Sequence, residues 1–368
     1  LCLLPGQGLM AADLVCVDGR IAEIRRPGAT SCSDIDATGC LVLPGIVDIH
    51  GDAFERQVMP RPKALFPLDM ALHDTDRQLV ANGITTAYHG ITLSWEPGLR
   101  SLEQSLSVIA ALDRLEPQLA ADHRVHIRWE TFALEAMDEV RALLTRPKPP
   151  LLAFNDHTSP LMRVADVRSA VNRHAERAMI APDRFLELYE TVAVRRDAVP
   201  HSIRSLAAAA RTHGVAMLSH DDRTVEERSF YRALGVGLAE FPITAEVLEA
   251  SRSAGDAVVL GAPNVVRGGS HTGAISAEAS IRAGACTILA SDYYYPAPLH
   301  AALGLAERGV LPLELAWSLV STAPAAAAGL IDRGQIAEGL RADLVVLCSR
   351  ERRPVATLCA GRPVYRAR

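Results

Sequence analysis

The chain has 368 residues, more than one simple domain needs, and this length suits a barrel of about 250 residues with a smaller module attached. Hydrophobic residues make up 49% of it, which is enough for a large buried core and too much for a disordered chain. The formal net charge of -5 argues against a polyanionic partner, so we expect no nucleic acid to bind.

Both ends of the chain carry a β-hairpin pattern. Near the N-terminus, two apolar runs within residues 13–24 are joined by Asp18-Gly19, a pair typical of a two-residue turn. Near the C-terminus, residues 342–347 and 355–364 form a second hairpin-like stretch. Short strands at both ends of a long α/β region predict one small β-sandwich built from residues 1–43 and 335–368, with two unrelated hairpins as the alternative.

Between the two ends, strand-like runs alternate with helical patterns. Helical stretches such as residues 70–81 and 202–212 are closed by stop signals that contain glycine. Eight β/α alternations favour a closed parallel barrel over an open sheet, so residues 44–334 are predicted to form a TIM-like (β/α)8 barrel of the α/β class. The predicted barrel strands are residues 45–50, 84–89, 125–130, 151–155, 215–220, 237–241, 257–262 and 287–291.

One stretch, around residues 159–199, is too long for a single barrel helix. It is polar and rich in arginine. We expect a solvated pair of helices here, inserted into the barrel. A lid over the barrel mouth is the alternative.

The cysteines and the apolar segments bear on the compartment. The seven cysteines are an odd number and include no Cys-x-x-Cys pair, so they fit free thiols in a reducing cytoplasm. The apolar start, residues 1–10, lacks the basic segment and the cleavage site of a signal peptide. No apolar run approaches the roughly 20 residues of a membrane span. We therefore expect a cytoplasmic protein without a membrane partner.

Histidines and carboxylates stand at the C-terminal ends of the predicted strands, where barrel enzymes keep their reacting groups. His50 and Asp52 follow strand one at alternate positions, so both can project to one side and bind one ion. Asp292 is the expected general base, and His220 is the second predicted catalytic residue. The predicted metal ligands are His50, Asp52, Glu130, His157, His220, Glu240 and Asp292.

Each of these residues, taken alone, has an ordinary explanation. A lone histidine at a strand end is more often a hydrogen-bonded core residue, a role we assign to eight other histidines, His126 among them, and an aspartate after a strand is usually a helix N-cap. Capping does not require His, Asp or Glu at so many strand ends, which favours a shared metal site. Nitrogen and oxygen ligands without thiolates suit a divalent metal, with Zn²⁺ expected first and Mn²⁺ or Fe²⁺ as alternatives, bound as one ion or two.

A glycine-rich segment after strand seven, residues 261–273, is a candidate for binding the substrate. Adjacent glycines free the backbone to form an anion-binding nest, and phosphate sites in barrels often lie after strands seven and eight. A tight loop that simply needs glycine is the alternative. The predicted phosphate contacts are Arg267, Gly268, Gly269, Ser270 and His271 in this segment, with Arg61 and Lys63 from the loop after strand one.

Residues 43–50 resemble the strand-one signature of the amidohydrolase superfamily. The Asp18-Gly19 turn and residues 339–345 resemble the composite β-sandwich that flanks those barrels. The resemblance covers nearly the whole chain. It implies one or two divalent metals at the strand ends and an aspartate after strand eight, here Asp292, as the base.

Three features depart from the common form of that superfamily. The usual His-x-His is His50-Gly51-Asp52, strand six offers Glu240 where many members have histidine, and the lysines Lys63 and Lys148 lie in proline-flanked loops rather than on strand four. In these three features the sequence resembles one branch of the superfamily, the triphosphate hydrolases of the carbon–phosphorus lyase pathway. The segments that carry this similarity are residues 60–62, 82–86, 219–222, 239–242, 261–264, 267–271 and 291–294.

The branch implies a reaction. Water would attack a phosphorus of α-D-ribose 1-methylphosphonate 5-triphosphate, release pyrophosphate and leave a 5-phosphate. The expected partner is thus a phosphorylated small molecule, and a homo-oligomer is left open. Two alternatives stand beside this: an amidohydrolase that cleaves a C–N bond, such as a deaminase or deacylase, and a non-catalytic metal-binding barrel in a phosphonate-processing complex.

Overall fold

The computed structural model describes residues 1–28, 35–162, 167–269, 275–348 and 350–367. The strands are β1 (Cys2–Leu4), β2 (Gly8–Met10), β3 (Asp13–Val17), β4 (Arg20–Arg25), β5 (Leu41–Pro44), β6 (Ile46–Gly51), β7 (Ile84–Leu93), β8 (Asp122–Glu130), β9 (Leu151–Asn155), β10 (Met217–His220), β11 (Leu238–Glu240), β12 (Ala257–Gly261), β13 (Ile288–Ala290), β14 (Leu344–Cys348), β15 (Arg353–Cys359) and β16 (Arg362–Arg366). The helices are α1 (Glu55–Val58), α2 (Leu68–Ala81), α3 (Leu102–Leu115), α4 (Met137–Leu143), α5 (Ser159–Met162), α6 (Val167–Ala178), α7 (Pro182–Ala193), α8 (Val199–Thr212), α9 (Val225–Ala233), α10 (Ala245–Ala254), α11 (Ala262–Arg267), α12 (Ala277–Arg282), α13 (Ala297–Glu307), α14 (Leu313–Ser318) and α15 (Thr322–Ala327).

The eight strands β6 to β13 form one parallel sheet in chain order. A parallel bridge between Gly51 and Asp292 joins its two ends and closes the barrel. Both faces of the sheet are covered. Ile49 and Val259 pack inside the barrel, and Ile127 packs against the outer layer of helices. The predicted (β/α)8 barrel is therefore confirmed. The largest boundary differences are that β7 continues to Leu93 and that β8 begins at Asp122.

The strands at the two chain ends combine into a second, six-stranded sheet with the order β16-β15-β14-β5-β1-β2. The β3–β4 hairpin turns at Asp18 and Gly19, both with positive φ as a two-residue turn requires, and packs its Ile21 into the same apolar cluster as Val42 and Leu344. The sheet built from both ends is thus confirmed. The division into domains at residues 43/44 and 334/335 stays a prediction.

The predicted helical pair is present as α6 and α7. These helices pack on each other and bury Val171, Ala175, Phe185 and Tyr189 in a small apolar cluster of their own. The pair is anchored to the loop after β7 through Glu96, which accepts hydrogen bonds from Arg177 at 2.6 and 2.8 Å. An otherwise solvated insert is thereby fixed next to the C-terminal ends of the barrel strands.

Replacing Glu96 by Gln is expected to make the stability of the fold less sensitive to acid. Burial alone would raise the pKa of Glu96, but the hydrogen bond from His174 and the charge of Arg177 lower it from 4.5 to about 2. Because the folded-state pKa is the lower one, the carboxylate stabilises the fold above about pH 4.5, and this contribution is lost as the pH falls toward 2.

Urea unfolding of both proteins at about pH 6 and about pH 3 measures this effect. The difference in unfolding free energy between wild type and Glu96→Gln should shrink by about 2 kcal/mol at the lower pH. A difference that stays constant over this range would contradict the assignment.

Across the described ranges, none of the helices has the length and apolar character that a membrane span requires.

Candidate functional site

A seam between the first and last barrel strands brings His50, Asp52 and Asp292 together. The backbone N–H of Asp292 donates to the His50 carbonyl and that of Asp52 to the Asp292 carbonyl, both at 2.9 Å. Beside them the fully buried Asp48 accepts from the backbone N–H of Ser291 at 2.9 Å and from its hydroxyl at 2.5 Å. Ligand atoms of His50, Asp52 and Asp292 consequently lie within 4.8 Å of one another.

The chain bends sharply after several of the strands that carry site residues. Asp221, Phe241 and Asp292 have φ values of 60°, 51° and 55°, in the left-handed region that non-glycine residues rarely adopt. The bends at Asp221 and Phe241 are held because each backbone N–H donates to a carbonyl of the next strand, at 2.9 and 3.0 Å. Such strain concentrates at functional sites, and here it lies at the rim that the predicted ligands share.

Glu240 lies at the centre of the site with 1% of its surface exposed. One of its oxygens is 2.8 Å from His50 Nδ1 and the other is 2.7 Å from His220 Nδ1. Burial alone would raise the pKa of Glu240, but the neighbouring His50 and His126 and these hydrogen bonds hold it well below its ordinary value. A carboxylate that accepts both Nδ1–H groups leaves the lone pair of each ring on Nε2, which is how proteins commonly orient metal-binding imidazoles.

His126 belongs to this centre, although the sequence analysis assigned it an ordinary core role. Its Nδ1 donates to the Ile49 carbonyl at 2.8 Å, so its Nε2 carries the lone pair. That Nε2 is buried, has no hydrogen-bond partner among the described residues, and lies 3.9 Å from a Glu240 oxygen. Burial lowers the pKa of His126 to about 3, which keeps the ring neutral and able to bind a metal.

A second group of ligand atoms stands on the neighbouring strands. His157, His220 and Asp221 each place a ligand atom within 4.8 Å of the others. Glu130 accepts hydrogen bonds from His157 Nδ1 and, at 3.2 Å, from the His157 backbone N–H. Glu130 therefore orients His157 in this geometry, while Asp221 is a further candidate ligand that the sequence analysis did not include.

The residues present fit a divalent metal. Three sets of nitrogen and oxygen donors have mutual distances suited to an ion: His50 with His126 and Glu240, His50 with Asp52 and Asp292, and the group around His220. The clearest indication of a metal site is the buried Nε2 of His126, which has no hydrogen-bond partner among the described residues. A buried polar atom without a partner is energetically costly unless a ligand binds it.

Two arginines that the sequence analysis did not single out flank Asp52. Arg128 Nη1 lies 3.3 Å and Arg100 Nη2 lies 3.9 Å from the same Asp52 oxygen. Arg100 also makes a two-pronged hydrogen bond to Glu55 at 2.8 and 2.9 Å. Burial would raise the pKa of Asp52, but Arg128 and the nearby His50 lower it below its ordinary value, so this carboxylate stays charged.

Part of the surroundings of His220 is acidic. A cavity of about 300 Å³ opens beside His220 and is lined by carboxylates together with Arg223. These carboxylates belong to Asp156, Asp221, Asp222, Glu226 and Glu227. An anionic ligand is consequently favoured on the side of Arg100 and Arg128 and disfavoured on this one.

The predicted phosphate contacts are only partly described. Residues 262–267 form helix α11 rather than the expected loop, and Gly268, with φ of 75°, ends it. Arg267 Nη1 lies 3.4 Å from the hydroxyl of Tyr293, next to Asp292, and Gly269 follows the helix end. Ser270 and His271 lie outside the described residues.

The two basic residues predicted in the loop after strand one, Arg61 and Lys63, are both exposed. Arg61 forms a bridge with Ala64 inside that loop. Within the described part of the chain, no hydrogen bond or ion pair connects either of them to the histidine and carboxylate cluster. Their role as phosphate contacts stays a prediction.

Comparison with known proteins gives one extended similarity in sequence. No protein-family model matches the chain. The chain is 35% identical over 348 residues to the alpha-D-ribose 1-methylphosphonate 5-triphosphate diphosphatase of Escherichia coli (strain K12), a match that covers 92% of this chain and 91% of that protein.

Solved structures share the fold at much lower identity. A D-hydantoinase from a Bacillus sp. AR9 has a TM-score of 0.67 and 13% identity, covering 99% of this chain and 94% of that one. A 5-methylcytosine deaminase from Klebsiella pneumoniae has a TM-score of 0.64 and 16% identity, covering 100% and 97%. At these identities the likeness concerns the fold alone.

Proposed function

Because the chain belongs to the amidohydrolase superfamily and, within it, to the family of the alpha-D-ribose 1-methylphosphonate 5-triphosphate diphosphatase, we propose that it is a diphosphatase that hydrolyses the triphosphate of this sugar phosphonate and releases pyrophosphate. The observation that carries the proposal is the 35% identity to that diphosphatase over 92% of the chain. The arginines beside Asp52 support an anionic substrate.

Asp292 is the proposed general base. Burial and the nearby charge of Asp52 raise its pKa to about 7, so near neutral pH it can accept a proton from the attacking water. The seam between the first and last strands holds its backbone at both the N–H and the carbonyl. The proton acceptor is therefore held at a defined position relative to His50 and Asp52.

The metal is proposed to be held by the donor sets around His50 and His220, with zinc favoured by the nitrogen and oxygen donors. When bound, a divalent metal polarises phosphoryl oxygens and makes water acidic enough to be deprotonated near neutral pH. Glu240 orients the rings of His50 and His220, and Glu130 orients that of His157.

The leaving phosphates are proposed to contact the segment after β12. Arg267 stands beside Tyr293 and is the proposed cationic contact. The backbone N–H groups of Gly268 and Gly269 donate to the Val265 and Asn264 carbonyls at 3.3 and 2.9 Å, so a contact of either glycine with an anion would require these two hydrogen bonds to be replaced. Ser270 and His271 are proposed as further contacts, with Arg61 and Lys63 as outer ones. The proposed partner of the protein is thus a phosphorylated small molecule.

The purified chain, with its metal content measured, tests this function. Pyrophosphate release from the 5-triphosphorylated ribose 1-methylphosphonate is expected, and a chelator should abolish it. Turnover of acylamino compounds or nucleobases without any action on triphosphates would replace the proposal by C–N bond hydrolysis. A folded, metal-loaded protein that turns over neither class would favour the non-catalytic barrel, and full activity in the presence of chelator would refute the metal requirement.

A further inference from the structure

Arg128 is a buried cation that the protein itself pairs only weakly. It projects from β8 toward the site, and 4% of its surface is exposed. Its Nη1 lies 3.3 Å from an Asp52 oxygen and its Nη2 lies 3.4 Å from His220 Nε2, both longer than typical charge-assisted hydrogen bonds. Its Nε is buried and has no hydrogen-bond partner among the described residues.

The contrast with the neighbouring arginine shows how unusual this is. Arg100 is satisfied by two short hydrogen bonds to Glu55 and lies farther from Asp52. Among the described residues, the nearest carboxylate to Arg128 is that of Asp52, which lies near the guanidinium of Arg100 as well. A buried guanidinium with unused N–H groups is costly unless an anion from outside the chain completes its pairing.

The sequence leaves room for this side chain. Gly90 on β7 faces it, and a Cβ at residue 90 would lie 3.1 Å from Arg128 Cδ and 3.7 Å from His50 Nε2. A larger residue at this position would press on both side chains. The space that Arg128 needs is therefore provided by a glycine on the adjacent strand.

We propose that Arg128 is a catalytic residue that binds the phosphoryl group under attack, an inference that rests on the proposed function. In the step that it assists, the water oxygen forms a bond to the α-phosphorus of the triphosphate and Asp292 takes the proton. The bond from that phosphorus to the bridging oxygen breaks, and pyrophosphate leaves with the electron pair. The guanidinium donates hydrogen bonds to non-bridging oxygens as their charge develops, which is what arginine does best with phosphate.

Three variants test the proposal: Arg128→Met, Arg128→Lys, and Arg124→Met as the control. Arg124 lies on the same strand, nearer its start, where it donates to Asp122, outside the site. We measure kcat/KM for the triphosphate, metal content, and the affinity for inorganic tripolyphosphate by calorimetry. The affinity reports on anion binding even where turnover is absent.

Arg128→Met is expected to lower kcat/KM about a hundredfold or more and to weaken tripolyphosphate binding about tenfold, with metal content unchanged. Arg128→Lys should fall between this variant and wild type, because it keeps the charge and loses the planar fork. Arg124→Met should stay within about twofold of wild type in both measurements.

Tripolyphosphate affinity and kcat/KM within about twofold of wild type in Arg128→Met would overturn the inference and leave the diphosphatase proposal standing. Metal loss that parallels the loss of activity would also overturn it, by showing that Arg128 only supports the ligands. If wild type binds tripolyphosphate through Arg128 but hydrolyses no triphosphate, the proposed function fails and the anion site remains. Should Arg128→Met not fold, Arg128→Lys decides by the same two measurements.

Discussion

Replacing Asp292 by Asn is expected to lower kcat for triphosphate hydrolysis by about a thousandfold or more, with metal content close to that of wild type. Asparagine has nearly the same shape and tolerates the left-handed backbone at this position, where φ is 55°. It also keeps the backbone hydrogen bonds that join Asp292 to His50 and Asp52. The variant therefore removes the proton acceptor and little else.

The control for this experiment is Asp18→Asn. Asp18 also has a positive φ, of 50°, but it lies in the turn between β3 and β4, in the part built from the chain ends. This variant should keep kcat within about twofold of wild type, because asparagine is favoured in such turns. A kcat for Asp292→Asn within about tenfold of wild type would exclude the general-base role, and a parallel loss of metal would instead identify Asp292 chiefly as a ligand.

Replacing Arg333 by Met is expected to lower the free energy of unfolding by about 2–3 kcal/mol. Arg333 is buried beneath the barrel, where its Nη1 donates to Asp122 at 2.7 Å and to Thr86 at 2.8 Å, and lies 3.9 Å from Asp343. Its removal would break two buried hydrogen bonds of a charged group, although Asp122 keeps Lys148 and Arg124 and Asp343 keeps Arg341 as partners. Burial opposes charge on Arg333, yet hydrogen bonds to Asp332 and the charge of Asp122 raise its pKa further above the ordinary value, so it is always charged.

Urea unfolding followed by circular dichroism measures this change. The exposed Arg196 provides a matched control, because Arg196→Met removes the same groups from the surface and should change the unfolding free energy by about 0.5 kcal/mol or less. Equal effects of the two substitutions would show that the buried network contributes no more than a surface arginine.

Much of the barrel could be predicted because its strands have a strong local signature. Strands such as β9, β12 and β13 are nearly continuous apolar runs, and helix α2 ends at a clear stop signal, Asn82 and Gly83. The ends of short strands were less certain: Phe241 and Ser291 lie just outside β11 and β13 because the chain leaves the sheet there. Residues 262–267 were predicted to be part of a loop because adjacent glycines follow them. In the structure Gly268 and Gly269 come after helix α11 and do not interrupt it.

The candidate site was predicted where it depends on strand ends and missed where it depends on strand interiors. His50, His220 and Asp292 could be placed at one rim because each stands near the C-terminal end of a barrel strand, while their roles stay predictions. His126 and Arg128 were missed although they share a face of β8 with Glu130, and this period-two pattern could have identified them. The contacts of Arg128 with Asp52 and His220 join residues that are 76 and 92 positions apart, and no local pattern contains such distances.

The seam between Asp48 and Ser291 also determines when during synthesis the protein can become active. These residues are 243 positions apart, so all the barrel strands from β6 to β13 must be synthesised before the last strand can meet the first. Until then the barrel cannot close, because β6 lacks the strand that pairs with its free edge. A nascent chain therefore exposes an unpaired strand edge at β6. We therefore expect no hydrolysis by a nascent chain that lacks β13, and we expect its open β6 edge to be prone to non-native pairing until the barrel closes.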